Sequence, residues 1–312
     1  MKKILIVGCG AIGGILAAKL SKVAEVMAYD INSKLVKEIK GNGIRIINSS
    51  ITNYRIEITN NLKKLKNFDF DLVLLSTKAY DTKKAILNIC KYFRPASVLT
   101  VQNGLKNVEI LRHFLPKSSI NCGITTMAAR VITDGEIKLF TKGTIYLSPC
   151  YKSSLKYIRG LENLFKLCDF DTKITSNHKG IIWSKLIFNS IMNPFTVVTN
   201  SEYNIIRRDK GLLFLIKGAI AEGMTVAKKI GIKLYFDPHE IVEKIQHGKM
   251  NNFKYKGSMY YDIADGKKSE IDFITGELIK QADKLDMKVP ILKAFYLLTK
   301  RIENLSQPKH YG

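Results

Sequence analysis

Lys3-Ile-Leu-Ile-Val7-Gly8-Cys9-Gly10-Ala11-Ile12-Gly13-Gly14-Ile-Leu-Ala-Ala-Lys-Leu20 is the stretch that decides the fold. It opens on a short apolar run of the kind that forms a buried parallel strand. Three glycines follow at once in the spacing G-x-G-x-x-G, and the residues after them favour a helix. A second run, Glu25-Val-Met-Ala-Tyr29, reads as another strand and ends in Asp30. Strand, turn, helix and strand in this order give the glycines a physical task. Gly8 permits a tight turn, Gly10 lets a pyrophosphate approach the backbone, and Gly13 lets the helix pack closely on the strand. The helix N-terminus then offers free N–H groups and partial positive charge to phosphates. Gly8, Cys9, Gly10, Ala11, Ile12 and Gly13 are therefore the candidate dinucleotide contacts. The fold class is α/β, with an N-terminal Rossmann-type doubly wound sheet.

Working outward, Asp30 stands near the usual offset of about 20 residues from the fingerprint. A carboxylate there can accept hydrogen bonds from a ribose 2′-OH and would repel a 2′-phosphate. The cofactor expected is NAD(P)H, with Asp30 favouring NADH and the nearby Lys34 and Lys78 expected to offset part of that repulsion. Asp71-Leu-Val-Leu-Leu-Ser76 reads as a further strand with Thr77 and Lys78 at its C-terminal end, where open α/β sheets bind ligands. Ala96–Val101 is another, tipped by Gln102-Asn103-Gly104. The Asn103 amide can both donate and accept, which suits a nicotinamide or a substrate oxygen. Ile120–Pro149 reads as short strands joined by Asp134-Gly135 and Lys142-Gly143 turns, expected to extend the sheet with antiparallel strands. A helix–strand pair, Leu155–Thr175, closes a first domain over residues 1–175.

Residues 176–312 read as a C-terminal all-α domain. In Gly180-Ile-Ile-Trp-Ser-Lys185-Leu-Ile-Phe-Asn189-Ser-Ile-Met-Asn193-Pro194 the polar residues Lys185, Asn189 and Asn193 are spaced i, i+4, i+8. Each step of four drifts only about 40° around a helix, so the three share a face. Among so many apolar neighbours, a lysine and two amides need partners or a polar cavity. Such a lysine can protonate or polarise a carbonyl oxygen as hydride arrives at carbon. The bland alternative is a lysine snorkelling at the core edge. Pro194 and Pro290 are expected to punctuate helices. Ser269 is the expected N-cap of a helix from about Phe273 to Asp286, which puts Glu270 and Asp272 in its first turn, where acids are favoured.

The whole chain limits the remaining classes. It has 312 residues, which suits two domains, and a hydrophobic fraction of 46%, too high for disorder. Lys2 and Lys3 precede an apolar run of only four residues, so no signal peptide is expected. No apolar stretch is expected to approach the roughly 20 residues of a membrane span, and a cytoplasmic protein without a membrane partner is the expectation. The five cysteines (Cys9, Cys90, Cys122, Cys150, Cys168) lack the spacing of a metal or redox site, so no metal is expected and they read as reduced thiols. The net charge of +23 raises the question of nucleic acid, but the lysines alternate with apolar residues along the whole chain, as on solvated helix faces. No nucleic-acid partner is expected, although the charge would attract small anions. The apolar helices of the second half leave a homodimer open.

Taken together, these motifs resemble the ketopantoate reductase family over nearly the full length of the chain. Gly8–Gly13 (GCGAIG), Thr77-Lys78-Ala79 and Gln102-Asn103-Gly104 match its cofactor half. Trp183-Ser-Lys185-Leu with Asn189 and Asn193-Pro194 matches its catalytic helix. Ser258-Met259, Asp262-Ile263 and Ser269-Glu270-Ile271-Asp272 with Gly276 match its substrate half. The resemblance implies reduction of 2-dehydropantoate to (R)-pantoate, a step towards pantothenate and coenzyme A. Lys185 would be the general acid, and Glu270 would position it and the substrate. Asn103, Asn189, Asn193 and Ser258 would bind the substrate, while Lys78, Asn103 and Glu270 would lie beside the cofactor. Two positions depart from the pattern. Asp30-Ile31-Asn32 stands where many members carry a basic residue, and Tyr255 stands where some carry an asparagine, with Asn251 and Asn252 nearby. A reductase of another 2-keto acid therefore stays open. So, less readily, does a non-catalytic dinucleotide-sensing or polyanion-binding protein on the same scaffold.

Overall fold

Apolar residues at the N-terminus build the first strand, β1 (Lys3–Val7), in which Ile4 to Val7 are all buried. Removing each such side chain from water contributes about 1.5–3 kcal/mol. The computed structural model describes residues 3–151, 155–249 and 254–306. They fall into two compact units, Met1–Gln102 with Lys106–His178, and Asn103–Leu105 with Lys179–Gly312.

In unit 1, β1 leads through the glycine turn into α1 (Ala11–Leu20), followed by β2 (Glu25–Tyr29) and α2 (Ser33–Asn42). Asn32 starts α2 with its side-chain oxygen, accepting from the Lys34 and Leu35 N–H groups. Next come β3 (Ile44–Ile47), β4 (Ile51–Tyr54), β5 (Glu57–Thr59), β6 (Leu72–Leu75), α3 (Thr82–Tyr92), β7 (Val98–Thr100) and α4 (Lys106–Arg112). Then follow β8 (Ile120–Thr125), β9 (Ala128–Thr133), β10 (Glu136–Thr141), β11 (Thr144–Pro149), α5 (Leu155–Leu167) and β12 (Asp171–Ile174). The main sheet has the order β12-β11-β8-β7-β6-β1-β2-β5. All its pairs are parallel except β11 with β8. The chain builds outward from β1 through β2 and β5, then crosses to β6 on the other side. That reversal puts the topological switch point, where open α/β sheets bind ligands, at the C-terminal end of β1.

One expectation for this unit needs correction. Of the strands in Ile120–Pro149, only β11 adds to the main sheet in the antiparallel sense. β9 and β10 leave it and join β3 and β4 in a second sheet of order β4-β3-β10-β9. Burial explains this. Ile44 and Ile46 on β3 and Ile137 and Leu139 on β10 face one way and pack into the same core cluster as α1. The contact is so close that a Cβ on Gly14 would stand 2.5 Å from Ile137 Cδ1.

Unit 2 is helical, with α6 (His178–Thr199), α7 (Lys210–Lys229), α8 (Pro238–Gln246), α9 (Ser258–Ala264), α10 (Thr275–Asp283) and α11 (Pro290–Ser306). Trp183, Leu186, Ile187 and Ile191 of α6 meet Ile216 and Ile220 of α7, Leu278 of α10 and Leu292 of α11 in one core. Among the described residues, α6 is the one helix long and apolar enough, by length and composition, to cross a membrane, a property its interspersed polar residues concealed in the sequence. Of its most apolar 18-residue window, 72% is buried inside the protein, as in a core helix.

Pro194 does not end α6 but lies inside it. A proline at this position cannot donate to the carbonyl four residues earlier, that of Ser190. The Thr275 hydroxyl supplies the missing donor, at 2.9 Å. Pro290, in contrast, opens α11. The helix expected from Phe273 starts later, at Thr275. Residues 269–274 form a preceding turn in which the Phe273 and Ile274 N–H groups both bond the Glu270 carbonyl. Ser269 Oγ accepts from the Ile271 N–H, so it caps this turn rather than the helix.

Candidate active site

The glycine loop of unit 1 has the shape its spacing predicts. Gly8 has φ +91°, and a Cβ there would meet the Thr77 backbone nitrogen at 2.8 Å. At Gly13 a Cβ would stand 1.9 Å from the Gly8 carbonyl oxygen and 2.4 Å from Ser76 Oγ, so only glycine lets α1 approach β1 this closely. A Cβ on Gly10 would meet nothing within 4 Å. The backbone is thus bare at the first turn of α1, whose N-cap is Gly10 and which carries no acidic residue. Open space, free N–H groups and a first helical turn without an acidic residue suit a pyrophosphate, and the loop fits a dinucleotide.

Asp30 has a task that its sequence position did not reveal. Its Oδ2 accepts from the Cys9 N–H at 2.8 Å and its Oδ1 from the Asn32 N–H at 2.9 Å. One carboxylate thereby ties the glycine loop to the end of β2. Burial pushes the Cys9 thiol up to about 12, with the Asp30 charge adding to the effect. That is the state of an inert packing thiol. All five cysteines are free.

Ser76, and Gln102 of the Gln102-Asn103-Gly104 tip, brace the strand ends around the glycine loop. Ser76 Oγ donates to the Gly8 carbonyl at 2.7 Å. The two N–H groups of the buried Gln102 amide are shared among the Thr77 carbonyl and hydroxyl, both at 2.9 Å, and Thr82 Oγ1 at 2.8 Å, while its oxygen accepts from Thr100. This latch holds the end of β6, and with it the half-buried Lys78, against the end of β7. A glutamine directly after an apolar strand was the available signal. The following turn needs Gly104, whose φ is +96°.

In unit 2 the expected polar face of α6 is present. Lys185 and Asn189 are half-buried and Asn193 is buried, at 4% exposure. Asn189 Nδ2 donates to Asn103 Oδ1 at 3.5 Å. Burial drives the Lys185 ammonium down from 10.5 to about 8, against the opposing pull of the Glu270 carboxylate. Glu270 is itself only 6% exposed. A neighbouring carboxylate and a lysine poised close to neutral pH are what general acid catalysis asks for.

Asn193 is placed differently from Asn189. Its Oδ1 accepts from the Tyr203 hydroxyl at 3.0 Å, and a Cβ on Gly257 would run into both groups. Asn193 thus packs against the Tyr203 hydroxyl and the Gly257 backbone. The Tyr203 and Tyr255 rings meet edge to face at 5.3 Å. Ser258 is exposed at the start of α9, just after Gly257. Asn251 and Asn252 lie outside the described residues. Asp272 accepts from Tyr296 and Lys300 on α11, a framework role rather than a site role.

Comparison with known proteins fits both halves. The family model described as ketopantoate reductase PanE/ApbA matches residues 4–151, and its C-terminal counterpart matches residues 177–303. The 2-dehydropantoate 2-reductase of Pyrococcus abyssi is 29% identical over 307 residues, covering 98% of this chain and 100% of the relative. A crystal structure of a ketopantoate reductase from Ralstonia eutropha superposes with a TM-score of 0.86 at 25% identity, covering 99% of this chain and 100% of that one. D-mandelate dehydrogenase, solved with NADH and anilino(oxo)acetate, shares the fold with a TM-score of 0.88 at 22% identity, covering 98% and 99%. With a dinucleotide loop in one unit, a lysine–glutamate pair in the other and family models matched across both, the chain is an NAD(P)H-dependent oxidoreductase that belongs to the ketopantoate reductase family.

Proposed function

We propose that the protein reduces 2-dehydropantoate to (R)-pantoate, on the route to pantothenate and coenzyme A, and works in the cytoplasm. The observation that carries this reading is the half-buried Lys185, lowered to about 8 beside Glu270 on the helix face that also presents Asn189 to Asn103. A bound nicotinamide supplies the hydride. The chain's own residues do the rest. The Gly8–Gly13 loop and the first turn of α1 hold the pyrophosphate, and Lys78 adds positive charge nearby. Asn103, Asn189 and the Ser258 hydroxyl orient the keto acid by its oxygens, with Asn193 supporting Ser258 through Tyr203 and Gly257. The Lys185 ammonium donates its proton to the carbonyl oxygen as carbon accepts hydride. It is left as a neutral amine, the form that burial favours, and takes a proton from solvent before the next turnover. Glu270 helps keep Lys185 mostly protonated at neutral pH and fixes its direction.

For the cofactor we propose a preference for NADH. Asp30 brings a negative charge to the loop where a 2′-phosphate would have to sit, and each of its oxygens keeps a lone pair beyond the backbone bond it already accepts. Asp30→Asn retains an acceptor and removes the charge. It should raise the NADPH-to-NADH ratio of kcat/KM several-fold, the scale of one like-charge contact near a surface.

The decisive assay follows nicotinamide absorbance with 2-dehydropantoate and either NADH or NADPH. Oxidation of the cofactor with this substrate is the expected result. Folded protein that binds the dinucleotide but leaves it unoxidised would refute the substrate assignment. The reading would then pass to a different 2-keto acid. Tyr255, which brings an aromatic ring to the Asn193 end of the polar face, favours one with a more apolar side chain.

A further inference from the structure

Glu303 is an acid where none is expected. It lies near the end of α11, far in sequence from any motif, yet it is only 2% exposed. Its Oε1 accepts the backbone N–H of Ser269 at 2.6 Å, and its Oε2 stands 3.3 Å from Lys300 Nζ. Lys300 in turn reaches Asp272 Oδ2 at 3.1 Å, and Tyr296 donates to Asp272 Oδ1 at 2.7 Å. One helix therefore grips both ends of the Ser269–Asp272 segment, through Glu303 at the first residue and through Lys300 and Tyr296 at the last. Glu270 is carried between the two grips. Its backbone carbonyl is also fixed, by the Phe273 and Ile274 N–H groups. A buried carboxylate that accepts a backbone N–H and pairs with a lysine is a strong, directional anchor. A motif-free residue this well placed calls for a reason beyond closing α11 onto the core, because the apolar contacts of Leu292 and Phe295 already do that.

We propose that Glu303 is a positioning residue for the reaction, its carboxylate fixing the turn so that Glu270 stands at a set distance from the Lys185 ammonium. The inference rests on the roles proposed above for Lys185 and Glu270. Glu270 is the charge that acts on Lys185. The groups acting on the grip itself are Lys300, Asp272, Tyr296 and Lys268. If the turn loosens, Glu270 recedes, and Lys185 loses the attraction that opposes its burial. Its proton affinity then falls.

The test measures the proton affinity of Lys185 directly, by competitive acetylation with acetic anhydride across pH and mass spectrometry of the Lys185 peptide. This requires no substrate. In the unmodified protein the midpoint should lie near pH 8. Glu303→Ala should lower it by roughly half a pH unit or more, the scale of a weakened neighbouring charge. Glu303→Gln keeps an oxygen for the Ser269 N–H and should restore most of the change. Asp272→Ala releases the other grip at a half-exposed position and should shift the midpoint the same way, which preserves the test if Glu303→Ala does not fold. Glu270→Gln is the reference. If it lowers the midpoint while Glu303→Ala and Asp272→Ala leave it in place, the positioning role is overturned and the Lys185–Glu270 reading stands. If Glu270→Gln has no effect either, both fall.

Discussion

Replacing Lys185 by methionine should make the protein more stable and almost inactive, and the size of the gain follows from the site. Burial lowers this lysine from 10.5 to about 8 in the fold. That difference of roughly 2.5 pH units, at about 1.36 kcal/mol each, amounts to about 3 kcal/mol by which the folded state disfavours the charged form. The folded value lies below the unfolded one, so between pH 8 and 10.5 the unfolded chain binds more protons, and stability rises with pH there. Below about pH 8 the destabilisation is present in full, and above about 10.5 it is gone. Methionine has similar length and no charge to desolvate. At pH 7, Lys185→Met should therefore gain up to about 3 kcal/mol, which raises Tm on the order of 5–10 °C for a unit of this size. The gain should shrink steadily when melts are repeated towards pH 10.5. Turnover should fall by roughly 10²–10⁴, the usual consequence of losing a general acid. Paired calorimetric melts of both proteins across that range provide the assay. A Tm at pH 7 equal to or below that of the unmodified protein would refute the reasoning. So would a gain that does not depend on pH.

Two further outcomes test the framework. Gly13→Ala places a methyl group 1.9 Å from the Gly8 carbonyl oxygen, which is backbone and cannot swing aside; NADH titration by fluorescence should show binding weakened more than tenfold, with stability lower by about 1–3 kcal/mol. Normal binding would show that α1 can retreat without consequence. Thr275→Val removes the hydroxyl that donates to the Ser190 carbonyl left open by Pro194, and denaturant titration should report a loss of about 1–3 kcal/mol, whereas an unchanged midpoint would mean that the carbonyl finds another partner.

What was legible in the sequence was whatever local chemistry dictates. The glycine spacing requires a positive φ at Gly8 and a bare Cα at Gly13, and both were read correctly because no other residue could satisfy them. The polar face of α6 was equally plain, since i, i+4 spacing is a property of any helix. The second sheet was not, because β3 and β4 are four residues each and derive their stability from β10, some ninety residues away in the chain. Strands that short carry little periodicity. The role of Asp30 was legible only in part: its place at the end of β2 could be read, but the bond to the Cys9 N–H depends on how β1 and β2 align. Pro194 misled because the rule that proline ends helices assumes that no outside donor is at hand, and Thr275 comes from more than eighty residues away. Glu303 was invisible for the same reason. Nothing near it in sequence says that its partner is the backbone at Ser269.

The contact between Gly14 and Ile137 has a consequence for the order of assembly. The groups that would hold a pyrophosphate all lie within the first twenty residues, yet the rear of the helix that presents them rests on a strand that ends at Thr141. A nascent chain that has emerged only through β7 holds the fingerprint but not the surface that clamps it. Pairings across so long an interval form slowly. Ligand capture is therefore a late event in the maturation of the N-terminal half. Fragments cut between β7 and β10 should carry an intact signature and no affinity.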